Sequence, residues 1–102
     1  MIKLALFARL EAKPGKEADV AAFLEAGLAM ARAEATTPIW FALRLSPTTF
    51  GVFDAFHNED GRQRHLSGPI AQALMAKAPE LFASPPTIDR IEVLGLKNDG
   101  SL

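Results

Sequence analysis

The sequence predicts an α+β domain with the element order strand, helix, strand, strand, helix, strand. Three observations lead to this prediction: residues 2–11 alternate between two faces as a strand does, apolar residues recur at helical spacing in 15–35, and two strand-like runs flank a proline-containing turn at 46–49. A chain of 102 residues is long enough for one hydrophobic core and too short for two. We therefore expect one domain at residues 1–97 and a flexible tail at 98–102.

The first strand and the first helix follow from the spacing of apolar side chains. One face of the strand at 2–11 carries Ile2, Leu4, Leu6, Ala8 and Leu10. The turn Pro14-Gly15-Lys16 comes next, with proline where a helix tolerates it best, in its first turn. A helix is then predicted over 15–35 with an apolar stripe facing a sheet. The residues of that stripe are Val20, Phe23, Leu24, Gly27, Leu28 and Ala31.

The second and third strands are predicted to form a hairpin around Pro47, which presets φ for the first central position of a turn. If Leu45 faces Phe50, as in a loop of two or four residues, one sheet face has Asp54 as its only polar residue. The apolar residues predicted on that face are Ile39, Phe41, Leu43, Leu45, Phe50, Val52 and Phe56. Trp40 then falls on the opposite face.

The last two elements complete the arrangement. A helix is predicted to begin at Asn58, a good N-cap residue, and to be broken and restarted at Gly68-Pro69 before Pro79 ends it. Its second part turns Ile70, Ala73, Leu74 and Ala78 inward. A final strand is predicted over 87–97. This order is the split βαβ, ferredoxin-like arrangement (βαββαβ), with an antiparallel sheet and the helices on one face.

The other face of the predicted sheet is apolar. Phe7, Trp40 and Phe53 lie on it, among small alanine side chains. A lone monomer would leave this patch in water. We therefore expect a two-fold homodimer whose sheets face each other.

Composition narrows the possible partners. With 11 basic against 12 acidic residues and a net charge of -1, the chain lacks the charge that binds nucleic acid or an anionic membrane. It has no cysteine, which excludes thiol catalysis and thiolate metal sites, and its two histidines are not spaced as a helical metal pair. No metal and no cofactor is expected. No apolar run approaches the ~20 residues of a membrane span, and no signal peptide is evident, so a cytoplasmic location is expected.

Three ordered motifs resemble the antibiotic biosynthesis monooxygenase family: Pro14-Gly15-Lys16, Phe53-Asp54 and His65-Leu66-Ser67. The resemblance extends over about residues 2–97 and implies a dimeric α/β barrel built from ferredoxin-like subunits. It also implies a cofactor-independent monooxygenase that oxidises a quinol, a phenol or a related aromatic compound with O2.

The candidate site combines a base with an apolar pocket. Such chemistry needs a base that removes a phenolic proton, so that the anion can donate an electron to O2. His65 is the candidate general base, and Asp54 is predicted to hold one imidazole nitrogen and fix the tautomer. The substrate is expected between the sheet and the helices. Its predicted contacts are Phe41, Phe50, Val52, Phe56, Leu66 and Leu74.

The same residues also have purely structural interpretations. His65 lies near the end of its predicted helix, where an imidazolium can bond free carbonyl groups. Asp54 can bond backbone groups at the start of that helix or pair with an arginine, and Trp40 can anchor an interface. The alternative function is therefore a non-catalytic, small-ligand-binding or stress-related dimeric α/β barrel protein.

Overall fold

The computed structural model of the protein describes residues 1–98, which contain four strands and three helices. In chain order these are β1 (Leu4–Glu11), α1 (Glu17–Arg32), β2 (Ile39–Arg44), β3 (Thr49–Phe56), α2 (Glu59–Leu66), α3 (Pro69–Leu81) and β4 (Thr87–Glu92). All strand pairs are antiparallel, in the order β2-β3-β1-β4. The predicted α+β class and ferredoxin-like arrangement are confirmed. Residues 99–102 of the predicted tail lie outside the described residues.

Helix α1 is shorter than predicted at both ends. Gly15 has φ 85°, a left-handed conformation that suits glycine, so it belongs to the preceding turn and the helix begins at Glu17. The helix ends at Arg32, a basic residue in the last turn that complements the helix dipole. Leu28, which we expected to face inward, is 40% exposed. The buried residues of α1 are Val20, Leu24 and Ala31.

The second predicted helix is observed as α2 and α3, separated at Ser67 and Gly68 as the glycine-proline signal indicated. The Asn58 side chain caps α2 by accepting a hydrogen bond from the Gly61 N–H at 2.9 Å. The prediction that Pro79 ends the helix is wrong, because α3 continues to Leu81. Pro79 has no N–H group, so one helical hydrogen bond is missing at this position. The helical bonding continues beyond it, since the Phe82 N–H donates to the Ala78 carbonyl at 3.0 Å.

Strand β4 is also shorter than predicted, since it ends at Glu92 and residues 93–97 form no strand. The Val93 N–H still donates to the Lys3 carbonyl at 2.8 Å. Glu92 pairs with Leu4, the first residue of β1, so residues after Val93 have no strand residue of β1 beside them. Pairing therefore stops where the partner strand stops.

The hairpin between β2 and β3 has a different register from the predicted one. Arg44 pairs with Phe50, which leaves residues 45–49, five residues, between the last paired positions. The Leu45 N–H donates to the Thr49 carbonyl at 2.8 Å and closes this loop. We had expected a loop with an even number of residues. A loop with one residue more or less exchanges the two sheet faces on which the side chains of β2 lie. Every side chain of β2 therefore lies on the opposite sheet face from the one we expected.

The sheet face turned away from the helices is apolar, although its composition differs from the prediction. Phe41, Phe53 and Phe7 lie side by side across β2, β3 and β1, and Phe41 is 49% exposed. Phe41 thus takes the place we assigned to Trp40. A Cβ added at Gly51 would lie 2.8 Å from the Phe7 ring, so glycine is needed for this packing. The homodimer that would cover this face stays a prediction.

The main core lies between the sheet and the helices. Leu10 and Phe50 from the sheet and Val20 from α1 are almost fully buried there. Each such side chain contributes about 1.5–3 kcal/mol through burial. No helix in residues 1–98 is long and apolar enough to span a membrane.

Candidate functional site

A cavity of about 120 Å³ lies between the sheet and helices α1 and α3, and its walls are almost entirely apolar. The sheet contributes Leu6, Trp40 and Val52, among others, while Gly27 and Leu74 line it from α1 and α3. A cavity of about 150 Å³ lined by similar side chains is large enough to bind benzene. The cavity between sheet and helices is somewhat smaller than that, so it can take no more than about one aromatic ring.

Two ionisable side chains, Asp54 and His65, lie among these apolar lining residues and bond to each other. Asp54 Oδ2 is 2.8 Å from His65 Nε2, and the two residues are 2% and 6% exposed. Strand β3 turns Asp54 toward the helices. The Asn58 cap fixes the start of α2, and His65 lies about two turns later on the face toward the sheet, with its ring 5.5 Å from that of Phe56. The structure thus brings the two predicted residues together.

A third ionisable residue, Glu34, completes the cluster. Its Oε1 is 2.7 Å from His65 Nδ1, so both ring nitrogens of the histidine face carboxylate oxygens. The buried Thr37 hydroxyl donates to the same Glu34 oxygen at 2.9 Å. A Cβ at Gly68 would be tight against the Arg64 carbonyl oxygen, at 3.0 Å, but would make only an ordinary contact with Glu34 Oε2, at 3.4 Å.

Sequence reasoning missed Glu34 because the helix was predicted to continue through residue 35. In the structure Glu34 lies just beyond the end of α1, in a turn where the Thr37 N–H donates to the Glu34 carbonyl at 3.1 Å. One signal in the sequence indicates that the helix ends earlier. Pro38 keeps Thr37 out of a helical conformation, which leaves Glu34, three residues before Thr37, close to the helix end.

The electrostatics of the cluster favour a charged histidine. Burial disfavours the imidazolium, but the hydrogen bonds and negative charges of Asp54 and then Glu34 outweigh it, so the pKa of His65 is raised above its ordinary value. Burial raises the pKa of Asp54, and the nearby charge of Glu34 raises it further, against the opposing effect of His65. The cluster therefore holds its protons to a higher pH than the isolated side chains would.

Three buried polar atoms in this region have no hydrogen-bond partner within residues 1–98: Asp54 Oδ1, Glu34 Oε2 and Trp40 Nε1. Leaving such an atom unsatisfied typically costs about 1–3 kcal/mol, and more when the group is charged. Asp54 and Trp40 both line the cavity and are direct neighbours across the β2–β3 ladder. An unsatisfied buried group in a native protein calls for an explanation, such as a catalytic role or an ordered water or ion.

The six predicted substrate contacts have different positions. Val52, Leu66 and Leu74 line the cavity. Phe41 does not, because the five-residue hairpin connection places it on the open sheet face. Phe50 and Phe56 are on the helix side but are not cavity-lining residues. Phe50 packs in the core at the far end of β3 beneath the Arg44 guanidinium, 4.6 Å from its ring centroid, and Phe56 packs against His65.

Other cavity residues were not predicted as substrate contacts. Trp40 was missed through the register error, whereas Phe23 and Gly27 were predicted to face the sheet but were treated only as core. No group of three or more His, Asp or Glu side chains in the described part of the chain is arranged to hold a metal ion.

Comparison with known proteins identifies a relative of high similarity. No protein-family model and no curated protein sequence matches the chain. Among solved structures, the NE2512 protein of unknown function from Nitrosomonas europaea is 59% identical, with a TM-score of 0.94 over 96% of this chain and 95% of its own. This chain belongs to the same family as the NE2512 protein.

More distant structures share the fold of the NE2512 family. A proposed antibiotic biosynthesis monooxygenase from Caulobacter crescentus has a TM-score of 0.78 at 18% identity, covering 92% of each chain. A second such protein, from Deinococcus radiodurans, has a TM-score of 0.76 at 19% identity, covering 93% of this chain and 96% of its own. The ferredoxin-like subunit fold implied by the resemblance to that family is thereby confirmed, whereas the dimeric barrel stays a prediction.

Proposed function

We infer that this protein is a cofactor-independent monooxygenase that oxidises a small phenol or quinol with O2 in the cavity between the sheet and the helices. The observation that carries this proposal is an apolar cavity of one-ring size whose ionisable lining residues, Asp54 and His65, are hydrogen-bonded to each other. The fold shared with proposed antibiotic biosynthesis monooxygenases supports the reaction class by analogy.

The reaction begins when the substrate hydroxyl loses its proton to the Asp54–His65 pair. The resulting phenolate gives one electron to O2, and the superoxide so formed bonds to a ring carbon, ortho or para to the oxygen, that carries hydrogen. Protonation of this adduct gives a hydroperoxide. Its O–O bond then breaks, the same carbon loses its hydrogen as a proton, and water leaves. One phenol and one O2 thus become one quinone and one water, with O2 as the oxidant.

The cavity favours this chemistry in two ways. Its apolar walls favour apolar molecules such as an aromatic ring or O2 over bulk water, which would protonate the anion. The low local polarity also strengthens the electrostatic interaction between the phenolate and the protonated cluster. Proton transfer by a positioned acid–base group contributes about 10²–10⁴-fold to such a reaction.

A second candidate function is the binding of a small aromatic molecule without turnover. The observation that favours it is that both His65 nitrogens are occupied by Glu34 and Asp54, an arrangement that also serves to tie α1, α2 and β3 together. A cavity of the same size and polarity would then hold the ligand, and O2 would play no part.

Oxygen consumption with a panel of single-ring phenols and hydroquinones, measured with and without a chelator, tests the proposal. Uptake in the wild type should resist the chelator and fall at least about 10²-fold in His65→Ala. His57→Ala is the matched control, because His57 is exposed and lies outside the cavity lining. Uptake that survives in His65→Ala would contradict the assignment, and binding of the phenols without any uptake would favour the second candidate.

A further inference from the structure

The two ring nitrogens of His65 have no lone pair available to the cavity. Nδ1 faces Glu34 Oε1 at 2.7 Å and Nε2 faces Asp54 Oδ2 at 2.8 Å. A carboxylate oxygen accepts hydrogen bonds, so each short contact requires a hydrogen between the two atoms. In the arrangement with both carboxylates ionised, both nitrogens therefore carry hydrogen and the ring is an imidazolium. Such a ring donates to its neighbours and cannot itself receive the proton of a substrate.

Asp54 offers the atom that His65 lacks. Its Oδ2 is bonded to the histidine, while its Oδ1 has no hydrogen-bond partner among residues 1–98. The residue is 2% exposed and lines the cavity. An unpaired, buried carboxylate oxygen beside an apolar cavity is a strong acceptor for a single hydroxyl donor.

Glu34 keeps His65 charged against the cost of burial. A histidine this deeply buried would lose its proton more easily if Asp54 were its only anionic partner. Glu34 supplies the second negative charge, and the Thr37 hydroxyl, which donates to Glu34 Oε1 at 2.9 Å, holds its carboxylate in position. Glu34 does not line the cavity, so it acts only through His65.

We propose that Asp54 Oδ1 receives the hydroxyl proton of a single-ring phenol and that Glu34 is a positioning residue that holds His65 as the permanent hydrogen-bond donor to Asp54. The substrate O–H bond breaks, its electron pair stays on the substrate oxygen, and the new O–H bond forms on Asp54. Both His65 N–H groups remain in place, and the net charge of site and substrate together is unchanged. The oxidation that follows this proton transfer rests on the proposed function. Binding of the phenol and transfer of its proton to Asp54 need no O2.

The raised pKa of Asp54, caused first by burial and then by the charge of Glu34, supports this role. A carboxylate with a raised pKa is a better match for a weakly acidic phenol than an ordinary aspartate is. Among described residues, the other charged groups of α2 have partners of their own: Arg62 pairs with Glu59 and also contacts the Ala5 carbonyl oxygen, and Arg64 pairs with Asp60.

The first test is the protonation state of His65, measured by 15N NMR of the two ring nitrogens across a pH series. At neutral pH both nitrogens of His65 should carry hydrogen in the wild type. In Glu34→Gln the titration of His65 should shift to lower pH, and the signals of the exposed His57 serve as the internal control in both proteins. A nitrogen without hydrogen in the wild type at neutral pH, or a His65 titration unchanged in Glu34→Gln, would overturn the proposal.

The second test follows the proton directly with 4-nitrophenol, whose absorption distinguishes the phenol from the phenolate. Trp40 is the only tryptophan of a chain that has no tyrosine, and it lines the cavity, so its fluorescence reports binding. Measured one pH unit below the probe's own pKa, the bound probe should be mainly phenolate in the wild type and mainly neutral in Asp54→Asn. 4-Nitroanisole, which has no hydroxyl, should bind about 10-fold more weakly than the phenol to the wild type.

These outcomes separate the proposal from the proposed function. If the bound probe is ionised in the wild type but no phenol causes oxygen uptake, the role of Asp54 is supported and the oxygenase function is contradicted. If phenols cause oxygen uptake but the bound probe stays neutral, the oxygenase function is supported and the role of Asp54 is contradicted. A probe that is ionised equally in Asp54→Asn, or that does not bind to the wild type at all, would overturn the assignment of Asp54.

Discussion

Trp40 lies directly across the β2–β3 ladder from Asp54, and both side chains line the cavity. The indole N–H is a buried donor without a partner in residues 1–98, and Asp54 Oδ1 is a buried acceptor in the same condition. The two groups therefore provide one donor and one acceptor beside an apolar space. A ligand with a hydroxyl group and a second oxygen would satisfy both of them.

Gly27 controls the width of the cavity on the α1 side. A Cβ built at this position would lie 3.4 Å from the Trp40 ring, an ordinary contact, so Gly27→Ala should fold and gain about 0.5–1 kcal/mol from its better helix propensity. Gly27→Leu should fill the cavity and abolish quenching of Trp40 by phenol. The check is urea unfolding together with fluorescence titration. Unchanged phenol binding in Gly27→Leu would show that the ligand lies elsewhere.

The stability of the protein should depend on pH through His65. Its folded pKa is raised above the ordinary 6.5, although burial opposes the shift, because Asp54 and Glu34 stabilise the charged ring. The stabilisation is complete below pH 6.5 and is lost as pH rises through the folded pKa, since the native state holds the proton that the unfolded state has released. The raised pKa of Asp54, caused mainly by burial, acts in the same direction from its ordinary 3.8 upward.

Urea unfolding of the wild type and Glu34→Gln over a pH series measures this effect. The wild type should lose stability relative to Glu34→Gln as pH rises above 6.5, because the variant has less imidazolium stabilisation to lose. Comparing the two proteins cancels the contribution of the exposed carboxylates. A stability difference that stays constant across this range would contradict a charged His65 in the native state.

The fold could be predicted because its signals are local. The alternation of β1, the stripe of α1 and the Asn58 cap of α2 each depend on residues close together in sequence. The register of β2 could not be predicted in the same way. It depends on whether the loop from Arg44 to Phe50 holds an odd or even number of residues, and a single residue more or less moves Trp40 to the other face.

The candidate site was predictable only in part for a related reason. The strand period fixes the sheet face on which Asp54 lies, and the helix period fixes the helix face on which His65 lies. Sequence reasoning could therefore place both side chains between the sheet and the helices. Glu34 lies past the end of α1, in a turn whose path is set by tertiary contacts, and no period fixes the direction of its side chain. Residues of this kind become visible only when the helices are packed on the sheet.

The apolar open face of the sheet should mediate the predicted homodimer. Phe41 is 49% exposed there and lies 6.4 Å, centroid to centroid, from Phe53. Phe41→Glu should therefore yield monomers that keep their secondary structure, because a charge at this position would be buried without a partner in the dimer. Sedimentation velocity at micromolar concentration measures the change. Met75→Glu on α3 is the matched control, since Met75 is 57% exposed on the helix side. A monomeric wild type would refute the dimer.

The Asn58 cap should connect the stability of α2 to the geometry of the site. Its side chain accepts a hydrogen bond from the Gly61 N–H at 2.9 Å, and α2 carries His65 toward Asp54. Asn58→Ala should cost about 1 kcal/mol in the free energy of unfolding, whereas Asn58→Asp, which keeps an acceptor, should cost little. If α2 holds His65 in place, Asn58→Ala should also accelerate hydrogen exchange along 59–66 and weaken phenol binding, measured by Trp40 fluorescence. Loss of stability with unchanged exchange in α2 would show that the cap does not control this helix.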